Sequence, residues 1–256
     1  MHHHRKMSRP MGTVHRFRAS ISAFALLVAV VVPSPAAAAT SCSGSGVNEF
    51  DARYTTTSNT MGTSGLARTR FPTLCTGTGS YTFSSAWTML TGPGNSGWAQ
   101  TGYWRQTTDP FPQMHGFSQV LRRDDGFDVA VTKNWPSPAI DSVHSYQSYV
   151  LSSGPSAGYI VMYIDANRVA TSTFKPVDYW GAQPWSNQFG EETFHCQTDV
   201  PGIDAGNTKV HFTGLASLHN GSWVAPSPTL QELNCGSKYA QANVSATAWD
   251  FWTAIP

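Results

Sequence analysis

FSQVLRRDDGFDVAVTKN, residues 117–134, reads as two strands folded back on one another. On both sides of Asp125-Gly126 the side chains alternate between apolar and polar, the period of a half-buried strand. Asp-Gly supplies the positive φ angles that a two-residue hairpin turn requires. Similar short runs rich in Val, Tyr, Trp, Phe and Thr recur from Ser80 onward, broken by Gly and Pro, and they predict strands at 81–90, 97–106, 191–197, 209–218 and 246–252. A second hairpin is expected over 143–169, with SSGPSAG as its loop. No long helical period occurs. Eight or nine strands, each with one apolar face, need a second layer, so an all-β antiparallel sandwich of two sheets is expected.

The chain has 256 residues, 40% hydrophobic and 12% charged, which is too apolar for a disordered, charge-solvated polymer. Its 16 Lys and Arg against 15 Asp and Glu leave no basic excess for nucleic acid. The charge is distributed unevenly. Residues 1–39 hold Arg5, Lys6, Arg9, Arg16 and Arg18 but no acid, followed by an apolar run over 21–32 and then by Pro and Ala. Such a segment is a secretory signal peptide ending at Ala39, and its apolar run is too short to span a bilayer. Without those five cations the formal charge of +1 becomes −4. The expected mature protein is secreted, extracellular, monomeric and free of the membrane. His2, His3 and His4 fall in the leader and suggest no metal site, and no cofactor is implied.

Residues 40–79, rich in Ser, Thr and Gly, are expected to be an irregular lead-in, and 80–256 the sandwich domain. Cys42, Cys75, Cys196 and Cys235 all follow the leader, and an even number in an exported chain reads as two disulfides. Of the three possible pairings, Cys42–Cys75 and Cys196–Cys235 are preferred because each closes a local loop, worth about 3–4 kcal/mol. No CxxC or HExxH spacing suggests zinc.

Several constellations could carry chemistry. Gly154-Pro-Ser156-Ala-Gly158 has the G-x-S-x-G spacing of a nucleophile elbow, but YIVMYID follows where that motif needs a helix. Asp124, Asp125 and Asp128 lack the ligand spacing of a calcium loop. The mature chain has four glutamates, Glu49, Glu191, Glu192 and Glu232. Glu191 and Glu192 are adjacent on a strand and leave on opposite faces, so together they cannot form a glycosidase pair. If Phe194 and Cys196 are buried, Glu192 shares their face and Glu191 looks outward. On 97–106, alternation puts Trp98, Gln100, Gly102 and Trp104 on one face. Trp98, Trp104, Tyr179, Trp180 and Trp185 are candidates for stacking on sugar rings, with the loop 178–185 as a groove wall.

The segments WAQTGYW, GYIVMYIDANRV, FKPVDYW and FGEET, with VPG after them, resemble a widespread group of exported bacterial proteins with a concanavalin-like, jelly-roll type of sandwich. Gln100-Thr101-Gly102, followed 91 residues later by Glu191, is similar to the eqolisin glutamic peptidases, two-sheet sandwiches with catalytic Gln and Glu on the concave sheet. That resemblance implies Glu191 as the general base that activates water and Gln100 as the donor to the developing oxyanion. The expected function is recognition of an extended extracellular polymer in a Trp-lined groove, polysaccharide first. A Gln/Glu endopeptidase working at acid pH on polypeptide is the alternative, and a glycosidase or a non-catalytic surface protein stands behind both.

Overall fold

The computed structural model describes residues 41–42, 48–55, 60–77, 81–108, 113–124, 127–182, 185–202, 208–226, 228–233, 235 and 238–254. They form β1 (Asn48–Thr55), β2 (Thr60–Arg68), β3 (Phe83–Thr91), β4 (Trp98–Gln106), β5 (His115–Asp124), β6 (Phe127–Trp135), β7 (Val143–Val150) and β8 (Ile160–Ile164). After these come β9 (Asn167–Thr171), a helical turn α1 (Pro176–Tyr179), β10 (Ser186–Thr193), β11 (Val210–His219), β12 (Ser222–Val224), β13 (Thr229–Leu233), β14 (Tyr239–Ser245) and β15 (Ala248–Thr253). One sheet has the order β13-β1-β10-β3-β4-β5-β6 and the other β14-β15-β11-β2-β7-β8-β9, with β12 beside β11. The two antiparallel sheets pack face to face, as the alternating runs required.

The decisive hairpin has the expected register. Arg123 pairs with Asp128 and Asp124 with Phe127, leaving a two-residue connection. Asp125 and Gly126, like the side chains of Asp124 and Asp128, lie outside the described residues. In the second hairpin Val150 pairs with Ile160, and a further strand, β9, follows at once. Asp165 and Ala166 make that turn at φ 51° and 61°, the left-handed pair of a tight hairpin. With no Gly or Pro there, the sequence reads as one continuous run.

Two expectations of layout are corrected. The stretch read as an irregular lead-in contains β1 and β2, and β2 is an interior strand of its sheet. Its composition reflects crowding: a Cβ at Gly62 would stand 2.3 Å from Tyr149 Cβ, and one at Gly65 2.8 Å from Leu215 Cδ2. Small residues let the neighbouring strands close in. The strand expected at 191–197 is β10, which starts five residues earlier and ends at Thr193.

The interior is filled from both sheets. One cluster holds Ala86, Tyr103, Tyr146, Phe189, Phe212, Leu215, Trp249 and Phe251, and a second holds Leu90, Ala99, Val120, Val150, Ile160, Met162, Phe174, Trp180 and Trp185. The third, Trp87, Met89 and Phe117 with Trp98 and Trp104 against it, lies on the other side of the seven-stranded sheet. Both disulfides have the preferred pairing, Cys42–Cys75 and Cys196–Cys235.

Candidate active site

Register decides which side chains can meet, because residues directly opposite on neighbouring strands share a face. Glu192 pairs with Ser85 and Ser85 with Trp104. Gly190, Trp87, Gly102 and Phe117 form the next row across the sheet, and Gln188, Met89, Gln100 and Gln119 the one after. Gln100 and Glu192 therefore stand on one face, separated by β3. Two strand spacings across and four residues along put their Cα atoms about 16 Å apart on a flat sheet. Trp87 occupies the row between them.

Glu191 belongs to the opposite face, in a row with Ala86 and Tyr103. It is 0% exposed, and neither carboxylate oxygen has a hydrogen-bond partner among the described residues. Burial pushes its carboxyl well above the usual carboxylate range. The expected orientation of the two glutamates is thus reversed. That expectation set the parity from Phe194 and Cys196, but β10 ends at Thr193 and the chain bends there. Phe189, inside the strand and 1% exposed, is the marker that puts Glu191 in the core and Glu192 outside.

The floor beneath this face follows from the glycine of Gln100-Thr101-Gly102. A Cβ at Gly102 would lie 2.0 Å from the Ala86 carbonyl oxygen and 2.9 Å from Trp87 Cβ. Trp87 is 1% exposed, and its indole N–H and that of Trp104 are buried donors without a partner among the described residues. Trp104 packs on Phe117 with ring centroids 5.4 Å apart. Gln100 donates from Nε2 to Gln119 Oε1 at 2.7 Å. An amide nitrogen carries two hydrogens, so this bond fixes the amide plane and leaves a second N–H to donate. Neither Trp87 nor Gln119 was singled out from sequence, because only register places them beside Gln100.

The aromatic wall is only partly realised. Trp98 and Trp104 are half-buried on the Gln100 face and Tyr179 is exposed. Trp180 and Trp185, expected to line the groove, are buried in the inter-sheet core. Trp180 donates from Nε1 to the Leu121 carbonyl at 3.0 Å, and Gly97 makes room for it, since a Cβ there would fall 2.0 Å from that nitrogen. The turn-forming residues around them had suggested an exposed loop; Asp178, Tyr179, Gly181 and Ala182 are exposed, whereas the two indoles turn inward. Ser156 sits in a turn leading to β8, as the missing helix implied. Side chains of Glu49 and Glu232 lie outside the described residues.

No family model matches the sequence, and no curated protein matches it. Among solved structures the chain is similar to scytalido-glutamic peptidase with a transition-state analogue inhibitor, at TM-score 0.54 and 12% identity over 82% of this chain and 100% of that one. It is also similar to SCP-B, a member of the eqolisin family of peptidases in complex with the tripeptide Ala-Ile-His, at TM-score 0.52, 12% identity and the same coverage. The chain shares the two-sheet sandwich fold of these structures. In this sandwich the face bearing Gln100 and Glu192 is the outer side of the seven-stranded sheet, away from the inter-sheet core.

Proposed function

We propose that the protein is a peptidase of the glutamic type that cleaves an extended polypeptide laid across the outer face of its seven-stranded sheet. The observation that carries this reading is that Gln100 and Glu192 share that face across a floor made by Trp87. Both side chains leave that face, with the Trp87 row between them. Glu192 takes a proton from the water as its oxygen attacks the carbonyl carbon, and the free N–H of Gln100 donates to the developing oxyanion. The protonated Glu192 then delivers its proton to the leaving amine as the C–N bond breaks. Acid pH favours the reaction by protonating that amine. The enzyme works outside the cell as a soluble monomer, a setting that two disulfides suit. No described helix is long and apolar enough to cross a membrane.

Digestion of a denatured protein substrate at acid pH tests the reading. Glu192→Gln lowers kcat about 10²- to 10⁴-fold, the usual worth of a general base, whereas Glu191→Gln leaves it within a few-fold. Proteolysis undiminished by Glu192→Gln would falsify the assignment. The half-buried Trp98 and Trp104 beside Gln100 favour a second reading, polysaccharide binding by stacking on the same face. Retention on cellulose, chitin, xylan or peptidoglycan, lost in Trp98→Ala, supports it, and no retention on any of them removes it.

A further inference from the structure

Ser142, His144 and Asp165 form a hydrogen-bonded relay in the eight-stranded sheet, apart from the face just described. Ser142 Oγ lies 2.5 Å from His144 Nε2, and His144 Nδ1 lies 2.5 Å from Asp165 Oδ2. The other carboxylate oxygen, Oδ1, accepts the Ser145 backbone N–H at 2.9 Å, so the carboxylate is fixed from both sides by β7. The carboxylate also fixes the tautomer, because Nδ1 must carry the proton and the neutral ring then presents Nε2 as an acceptor for the Ser142 hydroxyl. The Ala139 carbonyl is the competing acceptor for that hydroxyl. Positive charge is held one residue away: Arg68 donates to the Asp141 carbonyl at 3.2 Å and Arg70 pairs with the Asp141 carboxylate. Asp141 itself is held at φ 65°, in the left-handed region that non-glycine residues seldom occupy.

A cavity of about 430 Å³ opens next to this relay, with His144 and Asp165 in its wall and Ser142 just outside its lining; Trp135, Pro136, Ile164 and Val169 give it apolar surface, and Asn167 and Arg168 polar groups. We infer that Ser142 is a second nucleophile, activated by His144 with Asp165 orienting the ring, and that it acts on carboxylic esters of small acids whose acyl group reaches past His144 into the adjoining cavity. Ser142 Oγ bonds to the acyl carbon while its proton passes to His144 Nε2. The ester C–O bond then breaks as His144 returns that proton to the leaving alcohol. Water attacks the acyl-serine by the same route, releasing the acid and restoring Ser142.

The experiment is labelling of the folded full chain with a fluorophosphonate, with the modified residue mapped by mass spectrometry, alongside hydrolysis of p-nitrophenyl butyrate. The label falls on Ser142. Ser142→Ala abolishes both labelling and hydrolysis, Asp165→Asn slows labelling at least about tenfold, and Ser156→Ala changes neither. Near-UV circular dichroism confirms that each variant retains its fold. A folded protein whose Ser142 stays unlabelled, or whose label is as fast in Asp165→Asn, overturns the inference and leaves the relay as a tie between β7 and the β8–β9 turn.

Discussion

A glutamate at the centre of a sandwich sets the pH at which the sandwich holds. Glu191 is sealed beside Tyr103 and near Tyr239, and its oxygens have no partner among the described residues. Burial of an unpaired carboxylate is so costly that the group stays protonated instead. Because the folded pKa lies above the unfolded value of about 4.3, the native state binds the extra proton between those two values. Stability is then full below the unfolded value and falls as pH rises toward the folded one, by about 1.4 kcal/mol per pH unit. Differential scanning calorimetry from pH 4 upward should show Tm dropping by about 3–6 °C per unit across that window. In Glu191→Gln the slope flattens and Tm at neutral pH rises. A parallel pH dependence in this variant would mean that another buried group sets the limit.

At the scale of elements, the legible strands were those whose alternation is framed by turn residues. β4 to β8 were readable because Gly, Pro or Asp-Gly separates them and aromatic and β-branched residues fill them. β2 was unreadable because its glycines answer to Tyr149 and Leu215, residues far away in the chain. The face that Gln100 occupies was legible from its own strand, since Trp98, Gln100 and Trp104 alternate there. The choice between Glu191 and Glu192 depended on where β10 stops, which the sequence does not mark. The loop after α1 shows the same dependence on a distant partner, for its two tryptophans look solvent-seeking until Gly97 is set beneath Trp180. Gly97→Ala should therefore cost about 1–3 kcal/mol by overpacking, read as a lower urea midpoint. Gly116→Ala, whose added carbon would meet flexible Ile164 Cδ1 at 3.2 Å, should cost clearly less. Equal losses would show that the loop yields to the added carbon.

At the scale of the molecule, the two disulfides tie segments that lie apart in the sequence. Cys42–Cys75 fastens the start of the described chain next to the Ser41–Thr76 bridge. Cys196–Cys235 fastens the residues just past β10 to the connection between β13 and β14, which belong to different sheets. Replacing Cys196 and Cys235 with Ser should lower unfolding free energy by about 3–4 kcal/mol in a urea titration. Titration of the denatured wild-type chain should find no free thiol.

The strand order also dictates when the protein can first become itself. β10 lies between β1 and β3, and β11 between β2 and β15, so each sheet waits for a strand made more than 90 residues after its earlier neighbours. Until β10 arrives, β1 and β3 both present open edges, the condition in which chains pair with one another instead of folding. Such long-range pairings also fold slowly. A nascent chain thus remains threadable for most of its synthesis. Glu192 arrives on the very strand that closes its sheet, so the proposed hydrolytic centre is assembled only with the last internal strand of its sheet.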